Sequence, residues 1–364
     1  MGIRVVVARD TYSAPRPSDA LDLNAWLAQL EPGVTARLRP GVYETDRTIV
    51  IPFQRHLAGQ TTGQAQGTTI RQATGAAIQG AILTTQAWHE SRSFSGNPVM
   101  IADLRIDGNR ANCPGSDAAG ITLLNYHSIV RHVSVVRAPG DGISLRDRGR
   151  DGVTVIQNSA SENRIESCNV TDVGRHAYYA QCAITSTANQ DGFLTNCTGS
   201  QTGGDLIRID RAAGWLVRGN HGYTVGQHGL YLQRCWATRI AENYVEDFGR
   251  VNAAGGVYNG IAVFQLGGRA SHVMSNSVST SEPAGTAVFR GLFLVGQNGQ
   301  AAALTCVGNE LYGGGSTRGR GLVAQVEPNA TLALNEGLNH VRNFTSVPTS
   351  FGVGVTLTGT VRTA

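Results

Sequence analysis

Seven short segments of one form recur along this 364-residue chain, and their recurrence limits its architecture more than any other feature. They are GITLL from Gly120, GISLR from Gly142, AYYAQ from Ala177, LIRID from Leu206, GLYLQ from Gly229, GIAVF from Gly260 and GLFLV from Gly291. Successive starts lie 22, 35, 29, 23, 31 and 31 residues apart. A second series runs between them in the same order. Val130, Ile165, Leu194, Val217, Ile240, Val273 and Cys306 each open a strand, and Val133, Cys168, Cys197, Asn220, Asn243, Asn276 and Asn309 follow three residues later. Two interleaved ladders describe a coil. The shortest steps fit three short strands plus turns at about 3.3 Å per residue, and the longer ones imply loops of about a dozen extra residues. Stacked asparagines suit such a coil, because side-chain amides on successive turns can bond to each other and to turn backbone.

Short alternating strands also occur in sandwiches and barrels. Hairpin dipeptides are scarce here, however, and equivalent segments recur in one direction, as parallel stacking requires. The composition agrees: 46 Gly, 41% hydrophobic and 15% charged residues describe many short strands and tight turns. There is no lysine, so every fixed positive charge is arginine and Schiff-base chemistry is excluded. A net charge of +4 suits an anionic substrate, but no Arg-rich stripe interleaved with aromatics points to nucleic acid. The six cysteines are scattered without a CxxC pair and read as small buried side chains. With no membrane-length apolar run and no signal-like start, the chain as given reads as a soluble, cytoplasmic protein, or a secreted one if a signal peptide was trimmed. It reads as monomer or homo-oligomer.

Near the start, SDALDLNAWLAQ places Leu21, Leu23, Trp26, Leu27 and Leu30 at helical spacing after a Ser/Asp cap, predicting a helix over 18–29 that covers the open end of the solenoid. Then come Arg39-Pro40-Gly41-Val42-Tyr43 and Arg105-Ile106-Asp107-Gly108-Asn109. On these two motifs and the repeats, residues 18 to 330 resemble the pectate-lyase-like superfamily of lyases, epimerases, glycosidases and phage tailspikes. The resemblance implies an all-β fold, a right-handed parallel β-helix with an N-terminal capping helix, and leaves the reaction open. Residues 1–35 read as an N-terminal segment and cap, 36–340 as the β-helix, and 341–364 as strands that end the solenoid or pack on it.

Alternation along each strand turns the repeats into a surface map, with outward side chains in columns about 4.8 Å apart. One outward column reads Ser144, Tyr179, Arg208, Tyr231, Ala262, Phe293, and the next reads Arg146, Gln181, Asp210, Gln233, Phe264, Val295. At the preceding corner lie Asp141, His176, Asp205, His228, Asn259 and Arg290. The middle coils thereby gather His176, Asp205, His228, Tyr179, Arg208, Tyr231 and Asp210 as candidate catalytic groups. Gln181, Gln233, Arg211, Arg234 and Phe264 are candidate substrate contacts, and Tyr126, Tyr178, Tyr223 and Trp236 are nearby rings, Tyr178 with its side chain inward. An arginine between tyrosines can hold a carboxylate while a phenol or imidazole moves an adjacent proton, and Asp205 between two histidines can fix their tautomers. The plain alternative is a ladder of complementary side chains covering a sheet, with Arg208 and Asp210 a simple cross-coil salt bridge. His127, His132 and His272, at strand starts and turns, read as structural.

No cofactor is implied. Asp107, Asp117, Asp141, Asp147 and Asp151 could gather around an oxygen-ligated Ca²⁺, although their spacing does not specify one, and GGGSTRGRG from Gly313 reads as a turn between late coils, not a phosphate loop. Glycoside hydrolysis needs carboxyls roughly 5 to 10 Å apart, whereas Asp205 and Asp210 are separated by roughly 16 Å of extended strand. That favours proton abstraction by a lyase or epimerase acting on an acidic carbohydrate. Phe264 and Phe293 in the same columns favour instead a dehydratase or cyclase acting on a small molecule. A non-catalytic glycan-binding or tailspike-like module is the third reading.

Overall fold

The computed structural model describes residues 12–13, 22–61, 67–92, 98–154, 161–183, 189–297, 299–358 and 360–363. Among the described residues eleven strands, from Ile49–Ile51 to Val347–Phe351, stack in parallel into a first sheet, and 24 others form a second. A typical coil gives one strand to the first sheet and two to the second. Thus Ile143–Leu145 is followed by Arg164–Glu166 and Asn169–Val173 before the next coil enters at Tyr178–Ala180. The chain is a right-handed parallel β-helix.

The alternation in the repeats sets the register. Ile121, Ile143, Tyr178, Ile207, Leu230, Ile261 and Leu292 pair in one column, and all are buried in the cylinder. Each such aliphatic side chain removed from water contributes about 1.5–3 kcal/mol. Tyr178 is inward, as its place in the strand predicts, with its hydroxyl 2.7 Å from the Thr198 carbonyl. The adjoining outward column is Thr122, Ser144, Tyr179, Arg208, Tyr231, Ala262 and Phe293.

The second sheet bends once per coil. His132, Ser167, Asn196, Gly219, Glu242, Ser275, Gly308 and Leu338 occupy the bend with φ between 49° and 66°. Only two are glycine, so most bends carry a left-handed penalty of about 1–2 kcal/mol. The next residue in each coil is the ladder position. The backbone N–H and Nδ2 of Asn220 both donate to Asn243 Oδ1 (3.1 and 2.9 Å), and the pattern repeats from Asn243 to Asn276, Asn276 to Asn309 and Asn309 to Asn339. Each amide also donates to a backbone carbonyl near the bend, as Asn243 Nδ2 does to Val217 O at 3.0 Å. The ladder holds the bends in place. Cys168 and Cys197 continue it with buried thiols, and all six cysteines are buried, none of them in a disulfide.

At the N-terminal end the helix is Leu23–Gln29, capped by the Asp22 carboxylate, which accepts from the N–H groups of Asn24 and Ala25. Residues 18–21, where the sequence suggested the helix begins, lie outside the described residues. Leu23 and Leu27 are buried, while Asn24 accepts from Val50 N (2.8 Å) and donates to Thr48 O (2.9 Å). The helix thus satisfies the edge strand Ile49–Ile51 that would otherwise be open to another chain. Beyond residue 340, Val347–Phe351 pairs with Gly319–Val326, and Val355–Leu357 and Thr360–Thr363 pair with Thr331–Arg342. The stretch from Gly313 is a turn between coils: Glu282 accepts from Gly314 N and Ser316 Oγ, and a strand opens at Gly319.

Candidate functional site

Where each coil enters the first sheet, its corner side chain accepts the backbone N–H of the matching residue one coil on. His176 N donates to Asp141 Oδ1 (3.2 Å), Asp205 N to His176 Nδ1 (2.9 Å), His228 N to Asp205 Oδ1 (3.0 Å) and Asn259 N to His228 Nδ1 (3.0 Å). A ring nitrogen that accepts an N–H carries no proton, so both imidazoles hold theirs on Nε2. The backbone N–H groups of Asp205 and Asn259 fix these tautomers, a role the sequence had suggested for the Asp205 carboxylate. Burial lowers both histidines to about 4, with Arg208 adding to the effect at His228, so both are neutral at physiological pH. Each is an Nε2–H donor.

The fully buried Asp205 carboxyl is pushed up to about 6 by burial, against the pull of the His228 N–H and Arg208. These shifts make stability depend on pH with opposite signs. A histidine that binds its proton below about 6.5 when unfolded and only below about 4 when folded makes stability rise with pH across that window; the raised Asp205 makes it fall between about 4 and 6. His228→Asn keeps an acceptor for Asn259 N and removes one titration. The stability of the wild type relative to this variant is expected to climb by about 1.4 kcal/mol per pH unit between about pH 4.5 and 6, read from denaturant midpoints. A difference that stays flat across that range would show that His228 is not held neutral.

Arg208 stands between the tyrosines as its column requires. Its Nε donates to Asp210 Oδ1 (3.1 Å), its Nη1 lies 3.5 Å from Asp205 Oδ2, and its Cζ sits 5.0 Å from the Tyr231 ring centroid. Burial works against the guanidinium charge, yet Asp210 and Asp205 hold its pKa above the ordinary value. The Tyr179 hydroxyl donates to the other oxygen of Asp210, Oδ2, at 2.8 Å. Burial and that carboxylate push the phenol well above its usual range, so Tyr179 keeps its proton. Tyr231 accepts from Gln233 Nε2 (3.3 Å) and stacks on His228 with centroids 4.8 Å apart. The Arg208–Asp210 pair, set against the cross-coil salt bridge considered from sequence, lies within one coil and is extended across coils by Tyr179.

Beside this group is an open cleft of about 460 Å³ lined by Gln181, Arg208, Asp210, Gln233 and Arg234, with Arg148, Cys182, Ala183 and Gln297. A second cleft of about 240 Å³, sharing Arg148 and Gln181, continues toward Arg146, Asp141, Arg175 and Arg150. The candidates divide accordingly. Arg234 falls within a register shift between Leu232 and Cys235 and has φ 51°, which turns its guanidinium back to the carbonyls of Asp210 (2.7 Å), Ala183 (3.0 Å) and Cys182. It builds the cleft wall. Phe264 packs between Tyr231 and Phe293 in an apolar cluster, and neither it nor Arg211 lines the cleft. Tyr223 lies on the strand His221–Val225 of the second sheet, away from this face. Sequence reasoning placed Arg146 in its outward column without making it a candidate, and passed over Arg148 and Gln297. Arg146 donates to Asp141 Oδ2 (2.8 Å) and Gln181 Oε1 (2.7 Å) and lies over the Tyr179 ring, while Arg148 could have been found by carrying the alternation one step beyond Arg146.

The carboxyl spacing read from sequence needs correction. Roughly 16 Å of strand separates the backbones, but both side chains reach toward one guanidinium, so Asp205 and Asp210 are no farther apart than two contacts and an arginine head. What separates them is access: Asp205 is sealed at the corner, while the Asp210 side chain is 14% exposed and faces the cleft. Among the described residues no three His, Cys, Asp or Glu side chains converge on a metal-sized space. Asp107 meets Arg71 and Arg137, Asp141 meets Arg146 and Arg175, and Asp151 caps its own loop at Thr154. His127 and His132 bond Glu162 and Asp103 at turns. No described helix is long and apolar enough to cross a membrane.

Comparison with solved structures finds the same architecture in chains of distant sequence. The A-module of the Azotobacter vinelandii mannuronan C-5 epimerase AlgE6 superposes with a TM-score of 0.55 at 16% identity, over 94% of this chain and 93% of that one. The AlgE4 A-module of the same organism gives 0.57 at 12% identity, over 93% and 94%. The catalytic domain of a GH87 α-1,3-glucanase in complex with nigerose gives 0.56 at 12% identity, over 97% of this chain and 68% of that one. At such identities the likeness is one of fold. The family described as right handed beta helix region matches residues 119–310, which is more than half the chain and spans all of the central coils, and the protein belongs to that family.

Proposed function

We propose that this protein is a carbohydrate-active enzyme that moves a proton next to a carboxylate in an acidic sugar chain, as a lyase or an epimerase does. The observation that carries the reading is Asp210, a cleft-facing carboxylate held on one oxygen by Tyr179 and on the other by Arg208. Asp210 acts as the base that takes the sugar proton. The electron pair left behind moves into the substrate carboxylate, and Arg208 stabilises the enolate charge that develops there. Tyr231, beyond Arg208 in the column, supplies a proton either to the departing glycosidic oxygen or to the opposite face of the same carbon. Tyr179 positions Asp210, and the neutral histidines support the column from behind. The arginines lining the two joined clefts favour a polyanion over a neutral chain. Mannuronan C-5 epimerases are among the proteins that share this fold.

Deuterium uptake from heavy water covers both outcomes, because elimination and epimerisation each require the sugar C–H bond to break. Incubated with a panel of uronate-containing polysaccharides and followed by NMR, the protein is expected to exchange or eliminate at that carbon on at least one polymer. Asp210→Asn should lower the rate by about 10³ and Tyr179→Phe by about tenfold. No exchange and no unsaturated product on any acidic polymer would sink the reading, as would an Asp210→Asn variant that works at the wild-type rate.

A further inference from the structure

The second sheet carries a different surface. Pairing of Gly222 with Val245, Val245 with Val278 and Val278 with Leu311 brings the strands His221–Val225, Tyr244–Glu246, Ser277–Ser279 and Glu310–Tyr312 side by side. Their outward residues are His221 and Tyr223, then Tyr244 and Glu246, then Ser277 and Ser279, then Glu310 and Tyr312. Tyr223 is 43% exposed and Tyr312 52%, far above what a tyrosine needs merely to keep its hydroxyl wet. They stand three strands apart, about 14 Å, with the half-buried Ser277 and Ser279 as a low floor between them.

One wall of this trough is fixed in place. Glu246 accepts from the Tyr244 hydroxyl at 2.7 Å, and its other oxygen lies 3.2 Å from His221 Nε2. The His221 and Tyr244 rings stack with centroids 4.8 Å apart and planes only 8° from parallel, and Tyr223 leans on His221 at 5.5 Å. Rings held this way present a flat face at little further cost in side-chain entropy. His340 and Arg342 follow on the next strand, paired with Glu310 and Tyr312, but the polar groups between the two exposed tyrosines are carboxylates and hydroxyls: Glu246, Glu310, Ser277 and Ser279. That set repels a polyanion and accepts hydrogen bonds from hydroxyl groups.

We propose that this face is a second carbohydrate-binding surface, separate from the arginine-lined clefts, and that it takes an uncharged glycan whose sugar faces rest on Tyr223 and Tyr312 while hydroxyls bond the serine floor and Glu310. The proposal is independent of the chemistry assigned to Asp210. Affinity electrophoresis of the full chain through gels containing soluble neutral glucan, mannan, xylan or galactan tests it, with alginate and polygalacturonate as anionic controls. At least one neutral polymer is expected to retard the wild type, and the double variant Tyr223→Ala/Tyr312→Ala to bind it at least about tenfold more weakly. Tyr223→Phe/Tyr312→Phe, which keeps both rings, and Asp210→Asn should be retarded like the wild type. The proposal is overturned if no neutral polymer retards the protein, if the alanine double variant is retarded as strongly as the wild type, or if only anionic polymers bind.

Discussion

Replacing Arg208 with alanine is expected to lower turnover on an acidic polymer by about 10³ and to remove about 3 kcal/mol of stability at the same time. The double effect follows from where the guanidinium sits. Its side chain is 29% exposed and reaches the cleft, yet it also faces the buried Asp205 at 3.5 Å and bonds Asp210 at 3.1 Å. Truncation leaves Asp205 Oδ2, which has no hydrogen-bond partner among the described residues, without its nearest positive charge, and frees Asp210 to rotate about its bond to Tyr179. An unmatched buried carboxylate is more costly than the pair was favourable. Arg208→Lys separates the two consequences. One ammonium can approach one carboxylate but not span both, so much of the stability should return while turnover stays at least about tenfold depressed. Parallel denaturant titrations and rate measurements on the two variants read this out. Unchanged stability in Arg208→Ala would mean that the guanidinium does not support Asp205.

How far the sequence reaches differs between backbone and side chains. Inward and outward columns from Ile121 to Leu292 were legible because each strand is short, alternates strictly and recurs in constant order, which leaves one register that buries every aliphatic residue. The asparagine positions were legible for the same reason, and Asn339 extends them. Side-chain direction beyond the strand ends was not. The extra residue between Leu232 and Cys235 breaks the alternation, so Arg234 turns back to carbonyls. Distances along a strand also misled, because long side chains such as Arg208 close gaps that backbone arithmetic leaves open. The histidines show a third limit: backbone donors one coil away decide their tautomers, and no local pattern reveals which N–H each Nδ1 will meet.

The largest loss of stability is expected from a single-atom exchange in the ladder, Asn276→Asp. Asn276 Oδ1 accepts from Asn243 N and Nδ2 at 3.0 and 2.9 Å, and a carboxylate oxygen can continue to do so. The amide nitrogen is what cannot be replaced. It donates to Ile240 O at 3.0 Å and to Asn309 Oδ1 at 2.9 Å, and in the variant both acceptors would face a second acceptor bearing charge inside the core. Asn276→Ala loses the bonds and leaves buried groups without partners, at about 3 kcal/mol; the aspartate adds an unpaired buried charge and should exceed it by about 1–2 kcal/mol at neutral pH. The sign of the pH effect distinguishes the causes. Burial raises the carboxyl pKa, so lowering the pH toward 5 protonates the aspartate, restores one donor and should narrow its deficit relative to Asn276→Ala. Denaturant midpoints of the two variants at pH 5 and pH 8 give the comparison. If the aspartate variant matches the alanine variant at both, the amide donors do not hold the coils together, and the bend after Ser275 is sustained by packing alone.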